Sequence, residues 1–239
     1  MFRGIPLLIL ALVLSGCRMD MNSLLSSEEQ QTNRVVNNEM DNLNKDLLKA
    51  AELGYKEAIV KLLADGADID ATDENGRTSA MIAVHNNQLE LFHFLAEQGA
   101  NINIRDHRLD NPLLYAGAEG KLDFVKAALA AGADTTVTNR FGGTALIPAA
   151  DRGHVEIVRE LLANSDVDVD HVNNLGWTAL LEAVILGDGG TSHQEIVNLL
   201  IQYGADVNLA DNDGVTPLQH AISRGYNEMA EALTAAGGK

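Results

Sequence analysis

The chain has 239 residues, with 34 acidic against 17 basic side chains, a formal charge of −17 and a single cysteine. That balance excludes nucleic acid, whose phosphates need lysine and arginine clusters, and disfavours lying flat on anionic lipid. One cysteine excludes a disulfide framework. The negative field has two readings, both open: it steers in a basic protein partner, or it keeps an extended array soluble.

In chain order, Met1-Phe2-Arg3 is a short basic start, Ile5 to Val13 is almost wholly apolar, and Leu14-Ser15-Gly16-Cys17 ends the run with small residues. These are the parts of a secretory signal peptide. The run is shorter than the roughly 20 apolar residues of a transmembrane helix. Its Leu-Ser-Gly-Cys ending resembles the bacterial lipoprotein signal. The resemblance implies a signal peptide over 1–16, cleavage before Cys17 and lipid on that cysteine; an ordinary signal peptide carrying a cysteine is the alternative. Arg18 rather than Asp follows, which by the same resemblance implies the periplasmic side of the outer membrane. Residues 18–43 are polar, with no sustained apolar period. They read as a flexible tether which, as a coil, spans about 28 Å. A translation start at Met19 or Met21 would give a cytosolic form without the address.

From residue 44 onward the chain repeats. Thr78-Ser79-Ala80-Met81, Asn111-Pro112-Leu113-Leu114, Thr144-Ala145-Leu146-Ile147, Thr178-Ala179-Leu180-Leu181 and Thr216-Pro217-Leu218-Gln219 start 33, 33, 34 and 38 residues apart, and a step of 33 back from Thr78 reaches Lys45-Asp46-Leu47-Leu48. A fixed period of this size means a stack of one supersecondary unit. Each Thr can cap a helix start. Pro112 and Pro217 sit just inside that start, where their missing N–H costs nothing. Gly66, Gly99, Gly132 and Gly204 stop the second helix. Ile157, Val158, Leu161 and Leu162 form one apolar stripe, which a single repeat cannot bury but its neighbours can.

These residues resemble the ankyrin repeat: Gly153-His154-Val155-Glu156-Ile157-Val158 matches its turn and second helix, and Gly66-Ala67-Asp68-Ile69-Asp70, Gly99-Ala100-Asn101-Ile102-Asn103 and Gly204-Ala205-Asp206-Val207-Asn208 match its exit. The resemblance covers 44–239 and implies an all-α repeat solenoid of about six repeats, each a helix-turn-helix plus a β-hairpin. The first and last copies read as caps, since terminal repeats need a polar outer face.

No nucleophile elbow, phosphate loop or zinc spacing occurs in the mature chain. The chain is therefore expected to be no enzyme and to hold no cofactor or metal. Asp166-Val167-Asp168-Val169-Asp170 and Asp211-Asn212-Asp213-Gly214 invite a calcium reading. Their register with the hairpins and the missing twelfth-position Glu argue against it.

The ankyrin resemblance implies that a protein partner is gripped by the hairpin tips and the exits of the inner helices, on the concave side. Carried over by register, the tips contribute Arg77, His107, Arg108, Arg140, Phe141, Leu175, Trp177 and Asp213. The exits include His85; Ala118 and Glu119; Asp151 and Arg152; and Ile185 and Leu186. Apolar residues gather on repeats four and five, as Phe141, Leu175, Trp177, Ile185 and Leu186. Such a cluster marks an interaction site, with Trp177 as hot spot; internal packing of Trp177 and Leu186 is the alternative. Asp188–Ser192 is an insertion between Gly187 and His193, which Gly189-Gly190 makes mobile or sharply turned; a functional face and an idle loop are equally open. The expected function is a lipid-anchored protein-binding module, monomeric until bound. Resemblance to bacterial ankyrin lipoproteins implies an immunity protein against a toxic effector, such as a phospholipase of a type VI secretion system. A scaffold for a resident envelope partner is the alternative.

Overall fold

The computed structural model describes residues 21–239, within which twelve helices follow in order. The signal peptide and Cys17 lie outside the described residues. The described residues divide into two units, 21–41 and 42–239.

The first helix, α1 (Met21–Leu53), is found over residues 21–43, where the sequence pointed to a coil; residues 18–20 of that segment lie outside the described residues. Its 33 residues contain neither Gly nor Pro, and although Asn is as frequent as Leu, nothing in it breaks the helix. Its polar character shows in exposure instead: the described side chains of residues 30–42 are all solvated. The helix start expected near Lys45 is likewise absent, because α1 passes through it. Leu47, Leu48, Ala50 and Ala51 bury near its C-terminal end.

The array pairs the end of α1 with α2 (Lys56–Ala64), then α3 (Ser79–His85) with α4 (Leu89–Glu97), α5 (Pro112–Ala118) with α6 (Leu122–Ala130), α7 (Leu146–Asp151) with α8 (Val155–Asn164), α9 (Ala179–Ile185) with α10 (Thr191–Gln202), and α11 (Pro217–Arg224) with α12 (Asn227–Ala235). Six pairs confirm the six-repeat solenoid. Inner helices pack on the inner helices of neighbouring repeats and outer on outer. The outer stripe is buried as its period requires: Phe92 and Leu95 in α4, Val125 and Ala128 in α6, Val158 and Leu161 in α8, Val197 and Leu200 in α10. Fully burying one such Leu or Val contributes about 1.5–3 kcal/mol.

Thr78, Asn111, Thr178 and Thr216 cap their helices by accepting the N–H three residues on. Thr144 departs from this pattern: α7 starts late, at Leu146, and the Thr144 hydroxyl is buried without a partner. Pro148 is the cause. It has no N–H to give the Thr144 carbonyl, which takes the Ile147 N–H at 3.3 Å instead.

The connecting hairpins are tight turns rather than strands; among the described residues the only isolated bridge joins Thr72 and Thr78. Each tip is built on one Asx side chain: Asp73, Asp106, Asn139, Asn173 or Asp211. Its Oδ1 accepts the N–H groups two and four residues on. Its own N–H donates to the carbonyl four residues on. That geometry needs a left-handed fourth residue, which is Gly76, Gly142, Gly176 and Gly214 in four tips and Leu109, at φ 62°, in the third-repeat one. Neighbouring tips are tied together: the His107 N–H donates to the Asn75 carbonyl and the Asn174 N–H to that of Phe141, at 2.8 and 2.9 Å.

Candidate binding face

Because the tips and the inner helices share one register, side chains from successive repeats meet on a single face. Between the third and fifth repeats they enclose a cavity of about 540 Å³. Tyr115, Pro148 and Glu182, each four residues after the equivalent repeat positions Asn111, Thr144 and Thr178, line it from three successive inner helices and form its floor. Helix exits add His85, Asp151, Arg152 and Leu186, and tips add Arg108, Asp110, Arg140, Phe141 and Leu175.

The apolar part is solvated: Phe141, Leu175 and Leu186 are each about half exposed. The Arg140 guanidinium lies over the Phe141 ring, 4.4 Å from its centroid. Arg140 and Arg108 both reach Asp110, at 3.8 and 4.0 Å. Arg152 donates to the Ala118 carbonyl at 2.6 Å and to Glu119 at 2.8 Å. At the far end His85 stacks on Tyr115, with ring centroids 3.9 Å apart. Burial pushes the His85 imidazole down, and Arg77 adds to the effect.

Glu182 is the unusual group. It is only 7% exposed, and its Oε1 accepts a 2.7 Å bond from Asn173 Nδ2. The Asn173 amide has no freedom to flip, because its Oδ1 already takes two tip N–H groups. Burial first, then repulsion from Asp151, pushes the Glu182 carboxyl up to about 7, against the pull of the Asn173 bond. Burial and the nearby Asp106 also raise Asp110, which Arg140 and Arg108 partly offset.

Of the residues expected from sequence, Arg108, Arg140, Phe141, Leu175 and Leu186 line the cavity. Arg77 does not; its Nε and Nη2 are taken by Asp73 in its own tip. The His107 ring packs over Gly76. Asp213 is exposed and outside the lining, its N–H used by Asp211. Trp177 is half-buried and also outside, since the cavity ends at Leu175 and Leu186 of its repeat. Ile185, expected at the surface, is buried as the last residue of α9; Leu186, the cap, is the one that turns outward.

Sequence reasoning missed Glu182, although a lone carboxylate in Ala179-Leu180-Leu181-Glu182-Ala183-Val184 is a visible signal. It also missed the Asx residue of each tip, whose positions keep the repeat spacing. The Asp188–Ser192 insertion is sharply turned. Asp188 Oδ1 accepts the Gly190 N–H and lies 3.0 Å from His193 Nδ1, Gln194 donates to the Gly189 carbonyl, and Tyr226 donates to that of Gly187. His193 Nε2 still reaches the Asp151 carbonyl, as His154 Nε2 reaches that of Ala118, so the insertion leaves the register intact. The loop does not line the cavity.

The carboxylates that invited a calcium reading hold turns. Asp211 Oδ1 accepts the Asp213 and Val215 N–H groups, Asp168 accepts that of Asp170, and Asp170 accepts that of Asp206. Asp166 takes the Thr135 hydroxyl. Among the described residues no group of three or more His, Cys, Asp or Glu is placed to hold a metal ion.

Comparison with known proteins agrees with this geometry. The family described as "Ankyrin repeats (3 copies)" matches residues 8–106 and 113–211, and "Ankyrin repeats (many copies)" matches 191–234. The ankyrin repeat protein YahD of Escherichia coli K12 is 41% identical over 196 residues, covering 82% of this chain and 98% of YahD. An ankyrin repeat and KH domain-containing protein of Caenorhabditis elegans is 31% identical over 67% of this chain, but that match spans 6% of the worm protein. A crystal structure of an ankyrin repeat domain from Acinetobacter baumannii AYE superposes with a TM-score of 0.78 at 53% identity, over 81% of this chain and 98% of that one. With its register, its tips and these relatives in agreement, the chain belongs to the ankyrin-repeat family.

Proposed function

We propose that this protein is an exported, lipid-anchored binding module that holds a toxic effector delivered to the periplasm, as an immunity protein does, for example against a phospholipase of a type VI secretion system. The observation that carries the binding role is the cavity of about 540 Å³ with three half-exposed apolar side chains on its wall. Apolar groups in that setting are the anchor points of protein interfaces. The export and anchoring part rests on the pattern of residues 1–17, and the acidic charge suits a basic partner. Binding is the typical role of ankyrin repeats, and the carboxylates that build the tips are taken by their own turns.

The test uses the full chain with a C-terminal tag, recovered from envelopes of cells challenged with a periplasm-targeted toxin. Wild type should co-purify with the toxin and protect the cells. The pair Phe141→Asp and Leu186→Asp should lose both, and Cys17→Ser should lose protection while keeping binding in solution. Capture of a resident envelope protein with no protection would replace immunity by the scaffold role. Unchanged location and mature mass for Cys17→Ser would remove the lipid anchor.

A further inference from the structure

The ion pairs on the cavity wall leave an imbalance. Arg108 and Arg140 share Asp110, and Arg152 holds Glu119. All three arginines are substantially exposed, so they stand at the mouth. The remaining lining carboxylates, Asp151 and Glu182, have no cationic partner among the described residues. Asp151 at the α7 exit and Glu182 on the α9 floor are close enough to repel each other, and they line the same cavity as the half-exposed Phe141, Leu175 and Leu186.

Resting on the binding role proposed above, we infer that this cavity receives one lysine or arginine side chain of the partner protein. The cationic head sits between Asp151 and Glu182, and the methylene stem lies along Phe141, Leu175 and Leu186. The charge of the whole chain, −17, complements a partner that presents such a side chain. The stem argues for these two residue types, since both bury apolar methylenes while carrying a charge at the tip.

Proton linkage gives the site a signature. Glu182 faces Asp151 and Arg152 from α7 and its exit, and Asn173 from its own hairpin. Asp110, Arg108 and Arg140 reach the same cavity from neighbouring tips, and Glu119, His85 and Tyr115 from α3, α5 and their exits. With Glu182 titrating at about 7, its ionised fraction rises about tenfold between pH 6 and pH 8. A cation that needs the ionised form should bind about tenfold tighter at pH 8 than at pH 6.

The probes are blocked pentapeptides, acetyl-Gly-Gly-Lys-Gly-Gly-amide and its norleucine counterpart, titrated into the full chain by calorimetry and amide chemical shifts. The lysine peptide should bind with Kd on the order of 1 mM, as one buried side chain allows. It should shift the Phe141, Leu175, Glu182 and Leu186 amides and tighten about tenfold from pH 6 to pH 8. Norleucine should bind at least tenfold more weakly. At pH 8, Glu182→Gln and Asp151→Asn, each checked by a melt, should weaken the lysine peptide about tenfold, and the first should flatten its pH dependence. Equal binding of the two peptides, or shifts elsewhere on the array, overturns the inference. So does a tenfold preference for 1,4-diaminobutane over the lysine peptide, which would mark a small-amine site. Each of these failures leaves the binding role standing if Phe141→Asp with Leu186→Asp still releases the captured partner. If that pair holds its partner, the binding face itself is misplaced.

Discussion

Helices α8 and α9 belong to adjacent repeats of one stack, yet what they bury differs in kind. Helix α8 buries Ile157, Val158 and Leu161, an unbroken apolar stripe. Helix α9 buries Leu180 and Leu181 and, beside them, the carboxyl of Glu182. An apolar stripe only has to meet another stripe, so any repeat can supply it. A buried carboxyl needs its own donor, and one exists only because Asn173 sits at the preceding tip. The array is thus held by interchangeable contacts on its outer side, while its open face carries individual ones. The sharpest break of this contrast is Leu161→Ala. Leu161 is fully buried, so its truncation should cost about 2–5 kcal/mol in a chemical melt. The lysine peptide should bind the folded variant unchanged. Loss of peptide binding without loss of stability would show that the outer stripe shapes the face.

The next largest effect is the pH dependence that Glu182 imposes. Its folded value, about 7, lies above the ordinary 4.5. The unfolded chain therefore loses this proton first as pH rises. Stability from the protonated form is complete below about pH 4.5, falls between there and about pH 7, and then levels off. Glu182→Gln keeps the acceptor for Asn173 and removes the ionisation. Above pH 7 it should be more stable than wild type by up to about 3 kcal/mol, with the two converging at pH 4.5. The difference between the chains is the quantity to measure, because Asp73, Asp188 and Asp211, whose carboxyls are held low by hydrogen bonds, lose stability in acid in both. A constant difference across that window would mean that Glu182 is ionised throughout.

Register makes most of this molecule legible from its residues alone. The repeat spacing placed the helix pairs and the outer stripe, and five of the ten residues it pointed to line the cavity. Register failed where neighbours rather than period decide. Trp177 and Ile185 occupy positions that face outward in an average repeat, but the cavity closes at Leu175 and Leu186. Pro148 shortened α7, and Thr144 lost its capping role for a reason that lies four residues away. Residues 21–43 looked like coil because they lack an apolar period, yet a polar helix needs none if nothing in it breaks the backbone. Glu182 was passed over because its value depends on Asn173 and Asp151, nine and 31 residues away in the chain.

Asn173→Asp tests whether the individual contact matters beyond the turn. Asp73, Asp106 and Asp211 build the same turn in other repeats, so the tip itself accepts a carboxylate. The Glu182 carboxyl then loses a donor and gains a second like charge. The variant should lose about 1–2 kcal/mol at pH 8, where both groups ionise, and less at pH 5, where Glu182 can donate its own proton. A loss independent of pH would assign the whole effect to the turn.

The smallest expected effect sits at the third-repeat tip, where Leu109 fills a position that glycine holds in the other four. At φ 62° its Cβ crowds the following carbonyl, which costs roughly 1–2 kcal/mol for an L-residue. Leu109 is 41% exposed, so little apolar burial repays that strain. Leu109→Gly removes it, but glycine also loosens the unfolded chain by about 0.4–1 kcal/mol. The balance favours the variant by about 0.5 kcal/mol, or a rise in Tm of about 1–2 °C for a domain of this size. Arg108 and Asp110 flank the position and line the cavity, while the backbone of the tip is fixed by Asp106 rather than by Leu109. Peptide binding should therefore not change. A fall in Tm would mean that the leucine side chain makes an apolar contact worth more than the strain. A Tm rise with weakened binding would mean that the leucine holds Arg108 and Asp110 in place, and that the open face depends on strain its neighbours do without.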